Sequence, residues 1–169
     1  MTDWVEEADR VARKAECLVS AIREAVAELI APAGKVEAEL ADRHQRALLD
    51  HLRADTTLME AINLIDEAEI ERASAPWLAL VASAAIDWST KTHAGREVRV
   101  AFELRLHGDD PVTGANIAEQ VDARVLSLPA DLAGFRVVTA QFLRGQAERR
   151  ERNARAILRE YRFRLLASD

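Results

Sequence analysis

The chain has 169 residues, 49% hydrophobic and 31% charged, with a net charge of −6, enough for one globular domain and an appendage. Its single cysteine, Cys17, excludes an internal disulfide framework or cysteine-zinc cluster. No apolar run approaches the ~20 residues of a bilayer crossing, and the acidic N-terminus is unlike a signal peptide, so a soluble protein made in the cytoplasm is expected.

Residues 3–31 read as one long helix with Asp3 and Glu6 as a capping pair. Trp4, Ala8, Val11, Ala15, Leu18, Ile22, Ala25 and Leu29 form a seam with spacings of four and three. That seam packs either on its own domain or on a neighbouring subunit, the latter using Leu18 and Ile22. Pro32, Ala33 and Gly34 stop the helix, and a second helical period runs over residues 35–53. Within it His44 and His51 share a face at a spacing unsuited to metal ligation, and are expected at the surface or an interface. Thr57 and Glu60 suggest a capping box for a short helix reaching Leu64, after which a polar crossing leads from Ile65 to Ala75.

Pro76–His107 reads as two strands joined by a polar tip from Asp87 to Arg96. Val98, Val100, Phe102, Leu104 and Leu106 alternate with charged residues, the pattern of a sheet with one buried face. Residues 112–127 form a helix with Ile117, Ala118, Val121 and Val125 inward. A third strand covers Phe135–Arg144, a tip Glu148–Asn153, and a fourth strand Arg155–Ala167. The expectation is an α+β fold: a mostly antiparallel four-stranded sheet with helices on one face, preceded by the long N-terminal helix.

Charge is uneven. Residues 1–71 hold 17 acidic and 8 basic side chains, whereas 72–169 hold 12 and 15. Such polarity suits self-assembly or a partner of opposite sign, or simply a solvated surface.

No phosphate loop, nucleophile elbow or metalloprotease motif is present in the sequence. Asp87, Ser89, Lys91 and His93 bring acid, hydroxyl, amine and imidazole to alternate positions, which on an extended segment would share a side and could serve a small enzyme or ligand-binding domain. A hairpin tip offers such a set no pocket, and no catalytic, cofactor or metal residues are assigned. The late arginines could touch phosphates, but the aromatic residues among them face the core, so a base-stacking platform is not indicated.

The segment DWSTKTHAGREVRVAFELRLHG (Asp87–Gly108), the run VLSLPADLAGFRVVTAQFLR (Val125–Arg144) and the closing EYRFRLLA (Glu160–Ala167) resemble the tail-completion, or tail-terminator, proteins of long-tailed phages. They are most similar to the versions in gene transfer agents and prophages of alphaproteobacteria. The likeness covers about residues 42–167, which divides the chain into a helical extension (1–40) and a terminator-like domain (41–169). It implies a structural role without cofactor: a hexameric ring that caps the tail tube, stops its polymerisation and joins the tail to the head connector or stopper, while DNA passes through the lumen unread. The protein would be made in the bacterial cytoplasm and end in a phage-like particle. The resemblance assigns Asp87, Trp88, Ser89, Thr90, Lys91, Thr92 and Arg96 to a partner contact. Trp88 could instead close the first strand as a core residue, with the rest a solvated turn. Arg149, Arg150, Arg152 and Arg155 become candidates for a subunit interface. Another joining protein, a stopper or adaptor, fits the same features.

Overall fold

The computed structural model describes residues 35–67, 74–108, 110–150 and 153–168. Helix α1 (Lys35–Arg53) presents Leu40, His44, Leu48 and Leu52, spaced by four, with Ala41 and Leu49 beside them, as its buried stripe. Helix α2 (Thr56–Ala61) follows at once. Its N-cap is Asp55, whose Oδ1 accepts from Leu58 N at 3.0 Å, so the expected capping pair of Thr57 and Glu60 does not start it.

Six strands follow or interleave: β1 (Leu64–Glu67), β2 (Trp77–Asp87), β3 (Gly95–His107), β4 (Asp131–Leu132), β5 (Phe135–Arg150) and β6 (Ala154–Ala167), with helix α3 (Pro111–Leu126) between β3 and β4. Asp110 caps α3 by accepting from Val112 N and Thr113 N, with Pro111 in the first turn where its missing N–H costs nothing.

The sheet order is β1-β2-β3-β6-β5-β4, with β1 parallel to β2 and every other pair antiparallel. The α+β class and the four antiparallel strands at its centre agree with the sequence reading; the strand count does not. Two short strands flank the four. β1 arises in the stretch expected to be helix end and polar crossing, and only Ile65 of its four residues is buried. Four residues with one inward side chain carry no readable period. The long helix over 3–31 lies outside the described residues, and α1 runs through the boundary expected between residues 40 and 41.

The described helices all pack on one face of the sheet. There Val98, Val100, Phe102, Leu104 and Leu106 of β3 meet Ile157, Tyr161, Phe163 and Leu165 of β6, none more than 6% exposed. Ile117, Ala118, Val121 and Val125 of α3 close the layer from above, as their spacing predicts. Asp122 of α3 ties it to the sheet: it accepts from the Tyr161 hydroxyl at 2.5 Å and is paired with the Arg159 guanidinium, which lies over the Phe142 ring.

Burial along β5 does not alternate strictly, and the register shows why. The register of β5 against β6 slips between Val137 and Thr139 and between Phe142 and Arg144. The two skipped residues, Val138 and Leu143, are two of the exposed large apolar side chains, whereas Phe135, Val137, Ala140 and Phe142 stay on the core side.

Candidate partner interface

The turn between β2 and β3 runs from Trp88 to Ala94, and short polar side chains lock it. Asp87 Oδ1 accepts from Ser89 N at 3.1 Å, from Ser89 Oγ at 2.6 Å and from Arg96 Nη1 at 3.2 Å. These donors, Ser89 first among them, hold the Asp87 carboxyl below its usual pKa. Ser89 Oγ in turn accepts from Gly95 N at 3.0 Å, and Trp88 N donates to Gly95 O. At the crown, Thr90 N donates to His93 O at 2.9 Å, Thr90 Oγ1 accepts from His93 N, and Thr92 Oγ1 lies 2.8 Å from His93 Nδ1. Lys91 is exposed there.

This geometry changes the reading of the tip. Asp87, Ser89, Lys91 and His93 do not project side by side from an extended segment; Asp87 and Ser89 bond each other across a turn and His93 is tied to Thr92. Serine and threonine are spent on backbone groups, the use that suits them at turns. Gly95 and Arg96 belong to β3. A side chain at Gly95 would place a Cβ 2.7 Å from Trp88 O and 2.9 Å from Leu165 O, so two backbones approach there as only glycine permits. The Arg96 side chain is 3% exposed. It therefore braces the turn through Asp87, contrary to its expected place in a contact surface.

Trp88 is half-buried, with the Arg164 guanidinium 5.3 Å from its ring centroid. Arg164 Nε donates to Glu97 Oε2 at 3.0 Å, Arg99 Nη2 donates to Glu97 Oε1 at 3.3 Å, and Arg162 Nε lies 4.0 Å from Oε2. Burial alone would raise the Glu97 pKa; the bonds from Arg164 and Arg99 and the charge of Arg162 outweigh it and hold the carboxyl ionised below its usual range.

These residues occupy the sheet face opposite the helices. Arg105 bonds Glu103 and lies over Trp77 at 5.3 Å, Arg150 bridges Glu103 and Glu148, and Arg144 pairs with Glu160 at 2.7 Å. The face is thus a lattice of arginines and glutamates, with a tryptophan at each end of β2 and an arginine over each. Alternation at Glu97 and Arg99 and at Arg162 and Arg164 was visible in the sequence. Which arginine meets which glutamate depends on the β3–β6 register, which pairs Glu97 with Arg164 and Arg99 with Arg162.

The expected basic tip is divided. β5 extends to Arg150, so Arg149 and Arg150 are strand residues on opposite faces. Arg149 is exposed and pairs in register with Arg155, while Arg150 joins the lattice. Arg152, Leu18 and Ile22 lie outside the described residues. His44 differs from expectation, being wholly buried, whereas His51 is half-buried and bonds the Arg124 carbonyl oxygen and Ser127 Oγ.

Among the described residues there is no group of three His, Cys, Asp or Glu placed to hold a metal ion, and no helix long and apolar enough to cross a membrane. A cleft between α1, the turn and Gly134 measures about 90 Å³, below the ~300 Å³ at which small-molecule pockets begin. The arrangement among the described residues is one of surfaces and paired charges.

A family model described as Tail completion protein gp17 matches residues 46–166, and the chain belongs to that family, a family of structural proteins of the virion tail. A solved chain from the "Virion of native gene transfer agent (GTA) particle" has the same fold, with a TM-score of 0.63 and 24% identity over 73% of this chain and 94% of that one. No curated protein matches the sequence.

Proposed function

We propose that the protein is a tail terminator: copies assemble as a ring, hexameric by the family resemblance, that caps the tail tube, halts its polymerisation and joins the tail to the connector or stopper of the head. DNA would pass through the lumen without being read. The observation that carries this reading is membership of the tail completion family over residues 46–166. The likeness in fold to a gene transfer agent virion chain supports it.

In this reading the locked turn Asp87–Thr92 is the element offered to the tube or to a neighbouring subunit, with Trp88 and Lys91 as its contacting side chains and Arg96 holding it in shape. A turn whose polar groups are already satisfied loses little entropy on docking. The protein would be made in the bacterial cytoplasm and end in the tail of a phage-like particle, with residues 1–40 as an extension that docks on a neighbour through Leu18 and Ile22. The decisive experiment mixes the full-length protein with purified tail tubes and images the tube ends by negative stain. Rings seated on tube ends are expected. Bare ends at every salt concentration would remove the proposal.

A further inference from the structure

Beyond Val137, whose N–H donates to Ala130 O, no described strand pairs with the outer edge of β5. That leaves about 40 Å of strand edge from Val138 to Arg150, at ~3.3 Å per residue. Register slips at Val138 and Leu143 break the first half, a device that protects edges from indiscriminate pairing. The second half, Arg144–Arg150, is unbroken, and all of it but the half-buried Glu148 and Arg150 is exposed.

We propose that this half receives the β1 edge of a second copy of the chain, so that the sheet continues from one subunit to the next. The inference rests on the ring reading and names the surface that would build it. Charge selects the partner edge. Arg144–Arg150 carries Arg144, Arg149 and Arg150 against Glu148 alone, so pairing two β5 edges sets arginines against arginines. At the other end of the same sheet β1 carries Asp66 and Glu67, both exposed. Arg53 anchors β1 to the helix layer, with Nε donating to Ile65 O at 3.0 Å and Nη2 to Asp66 at 3.2 Å, so the edge is ordered before it meets a partner.

Strand direction agrees. β1 is parallel to β2, and three antiparallel steps then lead through β3 and β6 to β5. A neighbour placed so that the sheet keeps its sense therefore lays β1 antiparallel to β5, the more stable pairing. The contact is head-to-tail, one patch meeting a different patch, which closes into a ring or grows into a filament.

The test uses full-length protein carrying Cys17→Ser, with Glu67→Cys in one preparation and Arg149→Cys in another, both checked for native circular dichroism. Mixed and oxidised at concentrations up to the solubility limit, they should give a cross-linked heterodimer at about tenfold the yield of either alone, matching a preference of roughly 1.4 kcal/mol. A chain carrying both substitutions should give a ladder beyond dimer. Equal yield from Arg149→Cys alone, or no cross-link from folded protein, overturns edge pairing. Rings on tube ends without the cross-link would sink the edge pairing and spare the tail reading, whereas the ladder with bare tube ends would do the reverse.

Discussion

The His44 ring lies against Phe163 with centroids 4.4 Å apart, Phe135 meets it edge-on, and neither ring nitrogen has a hydrogen-bond partner among the described residues. Burial depresses its pKa to about 4, so it is neutral in the folded protein. The unfolded chain, with an ordinary histidine near 6.5, binds a proton more readily. Stability is therefore full at neutral pH and falls as pH drops through 6.5 towards 4. From pH 7 to pH 5 this one group should remove about 2 kcal/mol of unfolding free energy. His44→Leu, which fills the site without polar atoms, should raise stability at pH 7 and abolish that part of the pH dependence. Urea titrations of both proteins at the two pH values measure it.

Asp122 joins α3 to β6 through Tyr161 and Arg159. Tyr161→Phe removes one donor and leaves the Asp122–Arg159 pair, at a cost of about 1 kcal/mol. Asp122→Ala leaves a buried hydroxyl and a largely buried guanidinium without their acceptor, and should cost roughly 3 kcal/mol. Chemical denaturation of the two variants should keep that order; equal losses would mean that Arg159 takes no support from Asp122.

Gly95 is held between Trp88 O and Leu165 O, so Gly95→Ala must push two strands apart. We expect a loss of about 2 kcal/mol and a shift in tryptophan emission as Trp88 moves from beneath Arg164. Gly108, where an added Cβ meets nothing within 4 Å but φ is +94°, provides the contrast: Gly108→Ala should cost about 1 kcal/mol through backbone strain alone, without that spectral change.

How much of this was legible in the sequence follows from the range over which each feature is determined. The alternation from Val98 to Leu106 and the stripe of α3 are local patterns, and both appear where the spacing puts them. β1 and β4 are made by pairing, with four and two residues, and leave no local trace. His44 shares a face with His51 by spacing, but its burial is decided by Phe135 and Phe163, ninety and more residues on. The polar tip Asp87–Thr92 stood out in the sequence by composition, whereas the mutual bonding that makes it a self-satisfied loop depends on the turn geometry.

The same distinction separates two kinds of tip variant. Arg96 braces Asp87 from a buried position, so Arg96→Ala should lower stability, by about 2 kcal/mol, and loosen the turn. Lys91 is exposed at the crown, where Lys91→Glu should leave unfolding within ±0.5 kcal/mol. If the turn seats on a tube end, Lys91→Glu should weaken binding to purified tubes about tenfold, the scale on which one surface charge reversal acts, while circular dichroism and melting stay those of the wild type. Unchanged tube binding by both Lys91→Glu and Trp88→Ala would move the contact surface elsewhere. The lattice face is then the next candidate, and Arg164→Ala, which uncovers the Trp88 ring and frees one side of Glu97, tests it: it disturbs the lattice and leaves the bonds within the turn in place.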